Sequence, residues 1–170
     1  SNVDTPHSAR DICCADGYLY VADMESGLQV IDVANPRHPQ VVGSVDTPGT
    51  ALGVCVDGVY AYLADSQSGL QIIDISDPQS PHIIGSMDTP GSAQDIAVAG
   101  GFAYVADRNE GLQIIDVTDP IGISRVRLGG SGAVGGARPT HRRSSRPVRH
   151  GRATPQPPVT PHRGEHPARE

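Results

Sequence analysis

GLQVIDV at residues 27–33 returns as GLQIIDI at residues 69–75 and as GLQIIDV at residues 111–117, with the same interval both times. A fixed period of about 40 residues is the signature of a repeat architecture, so each copy is best read against the others. Outward from the motif, Tyr20-Val21-Ala22-Asp23, Tyr62-Leu63-Ala64-Asp65 and Tyr104-Val105-Ala106-Asp107 precede it, and Asn35-Pro36, Asp77-Pro78 and Asp119-Pro120 follow it. Units close on Val45-Asp46-Thr47-Pro48 and Met87-Asp88-Thr89-Pro90. Val3-Asp4-Thr5-Pro6 matches that closing step, so the chain opens inside a unit.

Each unit contains four apolar runs of five or six residues, in the first around Ile12, Leu19, Val30 and Val42, each bounded by Gly, Pro, Asp or Asn. Such runs read as strands joined by tight turns. Helix is excluded because the Pro and Gly bounds leave no window long enough and the apolar period is two. In the first strand Ile12, Val54 and Ile96 share a face with Cys14, Val56 and Val98, while Cys13, Cys55 and Ala97 occupy the other. Strands apolar on both faces need cover on both faces. In the second strand Tyr20, Tyr62 and Tyr104 oppose Leu19, Ala61 and Ala103. One aromatic at the same place in every unit reads as packing between neighbouring sheets.

Four strands in about 40 residues describe a propeller blade. The expected fold is therefore all-β: a partial β-propeller of three four-stranded antiparallel blades, with units at about 6–47, 48–89 and 90–120, the last incomplete. At Ile123 the third copy loses the proline present at Pro39 and Pro81, and Arg127 stands where Gly43 and Gly85 are expected. Three blades do not close a ring, since propellers typically have four to eight, and a truncated or partial chain is the expectation.

Charge divides the molecule at the same place. Residues 1–120 hold 17 acidic and 3 basic side chains, residues 121–170 hold 10 Arg and 2 Glu, and the total of −6 conceals the split. The second segment has 8 Gly, 7 Pro and no aromatic residue, a composition that cannot offset ordering entropy, so residues 121–170 are expected to be a disordered tail of native, aberrant or junctional origin. Its arginines imply weak, non-specific polyanion binding at most. Three cysteines make no disulfide framework, and no apolar run reaches the length of a membrane span.

Repeated carboxylates invite a calcium site. Asp23, Asp65 and Asp107, however, lack the alternating spacing of a calcium loop, and are better explained by Asx-type bonds to backbone N–H groups. Asp32, Asp74 and Asp116 share a strand face with Leu28, Leu70 and Leu112 and are expected to be partly buried and hydrogen-bonded. His7, His38 and His82 lack companions at ligand spacing. Cys13 and Cys55 read as small packing residues, and Cys13 and Cys14 point to opposite faces. No catalytic, cofactor-binding or metal-binding residue is assigned.

The repeated Y-V-A-D, G-L-Q-I-I-D-V, D-P and D-T-P-G elements resemble the LVIVD repeat family of bacterial and archaeal proteins over about residues 3–120. His7 departs from the pattern, since the other copies have Gly49 and Gly91. The resemblance implies a β-propeller, commonly in surface or exported proteins, with no catalytic residue to carry over. The expected function is a non-enzymatic scaffold for protein or cell-surface interaction, located outside the cell, at its surface or in the periplasm. Its partner would be another protein or the missing blades of the same fold. The alternative is part of a propeller hydrolase or lyase whose catalytic residues lie at the central channel or in missing blades.

Overall fold

The computed structural model describes residues 2–125, with side chains as far as Ile123. Each unit folds as an antiparallel meander. The first sheet comprises β1 (Asp11–Ala15), β2 (Tyr18–Ala22), β3 (Leu28–Asp32) and β4 (Gln40–Val45); the second, β5 (Gly53–Asp57), β6 (Tyr60–Ala64), β7 (Leu70–Asp74) and β8 (His82–Met87); the third, β9 (Asp95–Ala99), β10 (Phe102–Ala106), β11 (Leu112–Asp116) and β12 (Ser124–Arg125). The recurring GLQ motif is the third strand of its sheet. The first strands β1, β5 and β9 lie side by side where the sheets converge, so the three sheets form consecutive blades of an open propeller.

Local chemistry sets the turns. The β1–β2 hairpin turns on Asp16-Gly17 and the β9–β10 hairpin on Gly100-Gly101, with positive φ at both positions, as type I′ turns require. The β5–β6 hairpin turns on Gly58-Val59 with positive φ at Gly58. In the first two sheets the fourth strand shifts register after Val30 and after Ile72, so that Val42 and Ile84 are the extra residues of a bulge. The third sheet extends past residue 120, the end expected from the repeat pattern. Asp116 pairs with Ser124 and Ile115 with Arg125, in the register of Asp74 with His82 and Ile73 with Ile83. Proline at position 123 and the Gly-Ser step are therefore not needed to start that strand. Beyond Arg125, the expected tail lies outside the described residues.

The core lies between sheets. Tyr20, Leu28 and Val30 of the first sheet pack on Val54, Leu63 and Ile73 of the second, and Tyr62, Leu70 and Ile72 of the second pack on Ile96, Val105 and Ile115 of the third. Tyr20 and Tyr62 are 3% exposed, as the packing role expected of them requires, whereas Tyr104, with no following sheet among the described residues, is only half-buried. The second sheet therefore contributes to two cores.

Gly69 has a positive φ, and a Cβ there would meet the Met87 carbonyl oxygen and come within 2.6 Å of the Thr89 nitrogen; a Cβ at Gly58 would meet nothing within 4 Å. Both positions carry left-handed strain, but only Gly69 adds a backbone collision. Gly58→Ala should cost about 1 kcal/mol and Gly69→Ala more than about 3 kcal/mol. Urea titrations of the two variants check this, and equal costs would contradict it.

Candidate functional site

Three aspartates of the β2–β3, β6–β7 and β10–β11 links, Asp23, Asp65 and Asp107, have no exposed surface. Asp65 Oδ1 accepts from the Thr47 hydroxyl at 2.7 Å, and Oδ2 accepts from the Gly49 N–H at 2.9 Å. Asp107 binds Thr89 and Gly91 in the same way, at 2.9 Å each. Asp23 binds Thr5 at 2.7 Å and the N–H of His7 at 2.8 Å. Each carboxylate therefore clips the segment entering its unit to the link that follows the second strand. Burial raises the Asp65 carboxyl above the usual aspartate range, against the downward pull of the Thr47 and Gly49 bonds.

These roles differ from the local Asx bonding expected of the link residues. It is the strand aspartates that make the local bonds: Asp32, Asp74 and Asp116 accept from the N–H two residues on, in Ala34, Ser76 and Thr118. They are half-buried at most, and hydrogen bonds from Ser76 and Thr118 lower the Asp74 and Asp116 carboxyls. In each unit the more buried carboxylate is the one whose sequence context looked like an ordinary turn. The signal that could have found it is the co-repetition of Asp-Thr-Pro-Gly with Tyr-x-Ala-Asp. A hydroxyl and a backbone N–H recur at fixed distance from the same acid.

The cysteines and histidines make packing or local contacts. Cys13 and Cys55 are partly buried between sheets, Cys14 is exposed on the opposite face from Cys13, and burial raises the Cys55 thiol, away from the reactive thiolate. His7, in place of glycine, holds Glu25 through Nδ1 at 2.9 Å, and His82 contacts the Ser80 carbonyl at 3.3 Å. Among the described residues no group of three or more His, Cys, Asp or Glu side chains is arranged to hold a metal, and every buried side-chain polar atom has a partner. An open cleft of about 530 Å³ lies between the second and third sheets, with Tyr60 and Tyr62 on one wall, Val117 and Thr118 on the other and Gly101 between. The equivalent of Gly101 one unit earlier is Val59. Among the described residues of its lining, Asp57 is the single charged one.

Two surfaces break the equivalence of the units. Leu112 is 59% exposed although Leu28 and Leu70 are 0% exposed, and Ile12 is 53% exposed although Val54 and Ile96 are at 5% and 8%. Leu112 marks the uncovered face of the third sheet and Ile12 the uncovered face of the first.

With the repeat, its register and its carboxylate clips in place, the comparison with known families is decisive: the LVIVD repeat matches residues 6–47, 48–89 and 90–124. The chain belongs to the LVIVD repeat family. These boundaries coincide with the start of the segment that leads into each sheet and include the first residue of β12. No curated protein matches the chain in sequence. Among the described residues of this LVIVD protein, no helix is long and apolar enough to cross a membrane.

Asp65→Ala removes both acceptors and leaves the Gly49 N–H unpaired, at an expected cost of about 2–4 kcal/mol. Asp65→Asn keeps an oxygen for Gly49 and offers an amide to the Thr47 oxygen, so it costs less. Because the folded-state carboxyl is raised, the folded protein binds the Asp65 proton more readily than the unfolded chain. The contribution of Asp65 to stability is therefore greatest at low pH and declines as pH rises through the carboxylate range. The stability of the wild type relative to Asp65→Asn should thus rise as pH falls from roughly 7 towards 3, measured by urea midpoints across that range. A difference that stays constant would remove burial as the dominant influence on Asp65.

Proposed function

We propose that this LVIVD chain is a non-catalytic interaction scaffold that works at the cell surface, in the periplasm or outside the cell. The observation that supports this most directly is how the carboxylates are used. Asp23, Asp65 and Asp107 make the same internal bonds in all three units, as do Asp32, Asp74 and Asp116. A catalytic centre differentiates one copy from the others, whereas a scaffold preserves the copies and varies its exposed positions.

That variation falls on the rim carrying the Asx-Pro turns. Arg37-His38, Gln79-Ser80 and Ile121-Gly122 occupy equivalent places with unrelated chemistry, and the varied Val59 and Gly101 lie on the same rim beside the open cleft. A partner protein recognised there reads three different side chains from one rigid frame. The apolar end faces are completed by further units of the fold, and the arginines of residues 126–170 add weak, salt-sensitive polyanion binding.

The purified chain should bind saturably to cell-envelope material, with hydroxyl-radical protection concentrated at residues 35–38, 77–80 and 119–122. A double substitution, Arg37→Glu with Ile121→Asp, should weaken binding at least about tenfold without shifting the urea midpoint, since both side chains are exposed. Ester, lactone, glycoside and uronide substrates should show no turnover above buffer. Turnover proportional to protein concentration would contradict the scaffold reading.

A further inference from the structure

The two uncovered faces are the two halves of one interface already present twice within the chain. On the third sheet Tyr104, Leu112 and Ile114 stand where Tyr62, Leu70 and Ile72 cover the sheet that follows them, and Ala106 is exposed where Ala22 and Ala64 are buried. On the first sheet Ile12, Leu19, Val21 and Ile31 stand where Val54, Ala61, Leu63 and Ile73 are covered by the sheet before them; Ile12 is exposed and Leu19 half-buried, while Val21 and Ile31 lie at the floor of this face at 3% and 2% exposure. Those four side chains, with Val3 and Arg10, line a shallow cavity of about 310 Å³. Residue by residue, the third sheet carries the covering surface and the first carries the surface to be covered.

The backbone agrees with the side chains. At both internal junctions a link residue with positive φ exchanges two hydrogen bonds with an alanine of the next unit. Met24 pairs with Ala51 and Ser66 with Ala93, at 3.2 and 2.9 Å in each pair. Arg108 has the same positive φ at the equivalent link position. Ala9 is the equivalent of Ala51 and Ala93, but is exposed where they are fully buried. Neither Arg108 nor Ala9 forms such a bridge among the described residues, and a head-to-tail neighbour would bring them together as one more copy of it.

Charge distinguishes the end faces from the internal junctions. At the internal junctions Leu52 and Gln94 occupy the place of Arg10, as their shared N–H bonds to Ala64, Ala106 and Ala22 show. Arg10 is thus the one cation among the three equivalent positions, and it lies on the uncovered face. At the other end Asp95 uses Oδ1 for the Ile96 N–H, and its Oδ2 has no partner among the described residues. The equivalent oxygen of Asp11 accepts from Val54 across a junction at 2.8 Å. Head-to-tail joining brings Asp95 beside Arg10 of the neighbouring copy, whose cation offsets the carboxylate of the adjacent Asp11, whereas at the second internal junction Gly53 lies opposite Asp95.

We propose that two copies of this chain associate head to tail, the third sheet of each covering the first sheet of the other, to close a six-bladed ring. Such an interface is heterologous, and it forms a ring when its rotation closes. Two copies of the three described sheets give six blades, within the usual four to eight. This goes beyond the scaffold function and does not depend on what the rim binds.

Sedimentation equilibrium of the full 170-residue chain should give a species of twice 17.8 kDa. Leu112→Asp and Ile12→Asp should each weaken association about 100-fold or more, because each puts a carboxylate into an apolar junction. Both side chains are exposed in the single chain, so far-UV circular dichroism and the urea midpoint of the dilute variants should match wild type at the same concentration below dissociation. An equimolar mixture of the two variants should recover a dimer, since one junction in the mixed pair has two wild-type faces. A wild-type chain that stays monomeric at high micromolar concentration overturns the proposal and assigns the faces to other units. Loss of the dimer with one variant but not the other indicates a symmetric face-to-face dimer and also overturns it, and species larger than a dimer overturn closure.

Discussion

Burial between neighbouring sheets is the interaction on which the rest of this structure depends. The Leu28, Val30 and Tyr20 face of the first sheet is dry because Val54, Leu63 and Ile73 lie against it, and the Leu70, Ile72 and Tyr62 face of the second is dry because of Ile96, Val105 and Ile115. Each fully buried leucine contributes about 2 kcal/mol relative to exposure, and Leu112 forgoes most of that in the single chain. A sheet here has no core of its own. Its stability is a property of the junctions it makes, as in other repeat proteins where neighbour contacts dominate.

The polar groups serve those junctions. Glycine at 43 and 85 admits the Asx-Pro turn of the following unit, where a Cβ would meet the carbonyl oxygens of Pro78 and Pro120. The link aspartates hold each incoming segment in the place from which its sheet can stack, and the alanine bridges fasten link to neighbour. This explains why the repeat retains Asp, Thr and Gly along with its apolar pattern. The carboxylates are committed to geometry, and the variation left to the rim is what a binding partner can read.

Most of the fold was legible in the sequence because a constant repeat period supplies three independent readings of every position. Apolar residues on both strand faces announced stacked sheets, and the tyrosine at 20, 62 and 104 announced a packing role. What sequence did not separate was the work of the two aspartate sets. Asp23, Asp65 and Asp107 lie in links, and local pattern reading assigns such residues to their own turn, whereas their partners lie beyond the first two strands, in the segment that enters the unit. Asp32, Asp74 and Asp116 lie in apolar strands, yet their side chains sit at the strand end and turn back to the next N–H groups. The fourth strand of the third sheet was obscured because its marker residues differ while its pairing register persists. No sequence pattern distinguished the end units, since exposure of Ile12 and Leu112 follows from having no neighbouring sheet on that side among the described residues.

Amide hydrogen exchange of the wild-type chain, measured at two protein concentrations roughly a hundredfold apart, tests the central claim that sheets are stabilised by their junctions and that the end faces cover each other. The account predicts that protection in Tyr18–Ala22 and Leu112–Asp116 rises with concentration while protection in Leu70–Asp74, covered on both faces within one chain, changes far less. Exchange independent of concentration in all three strands would contradict it.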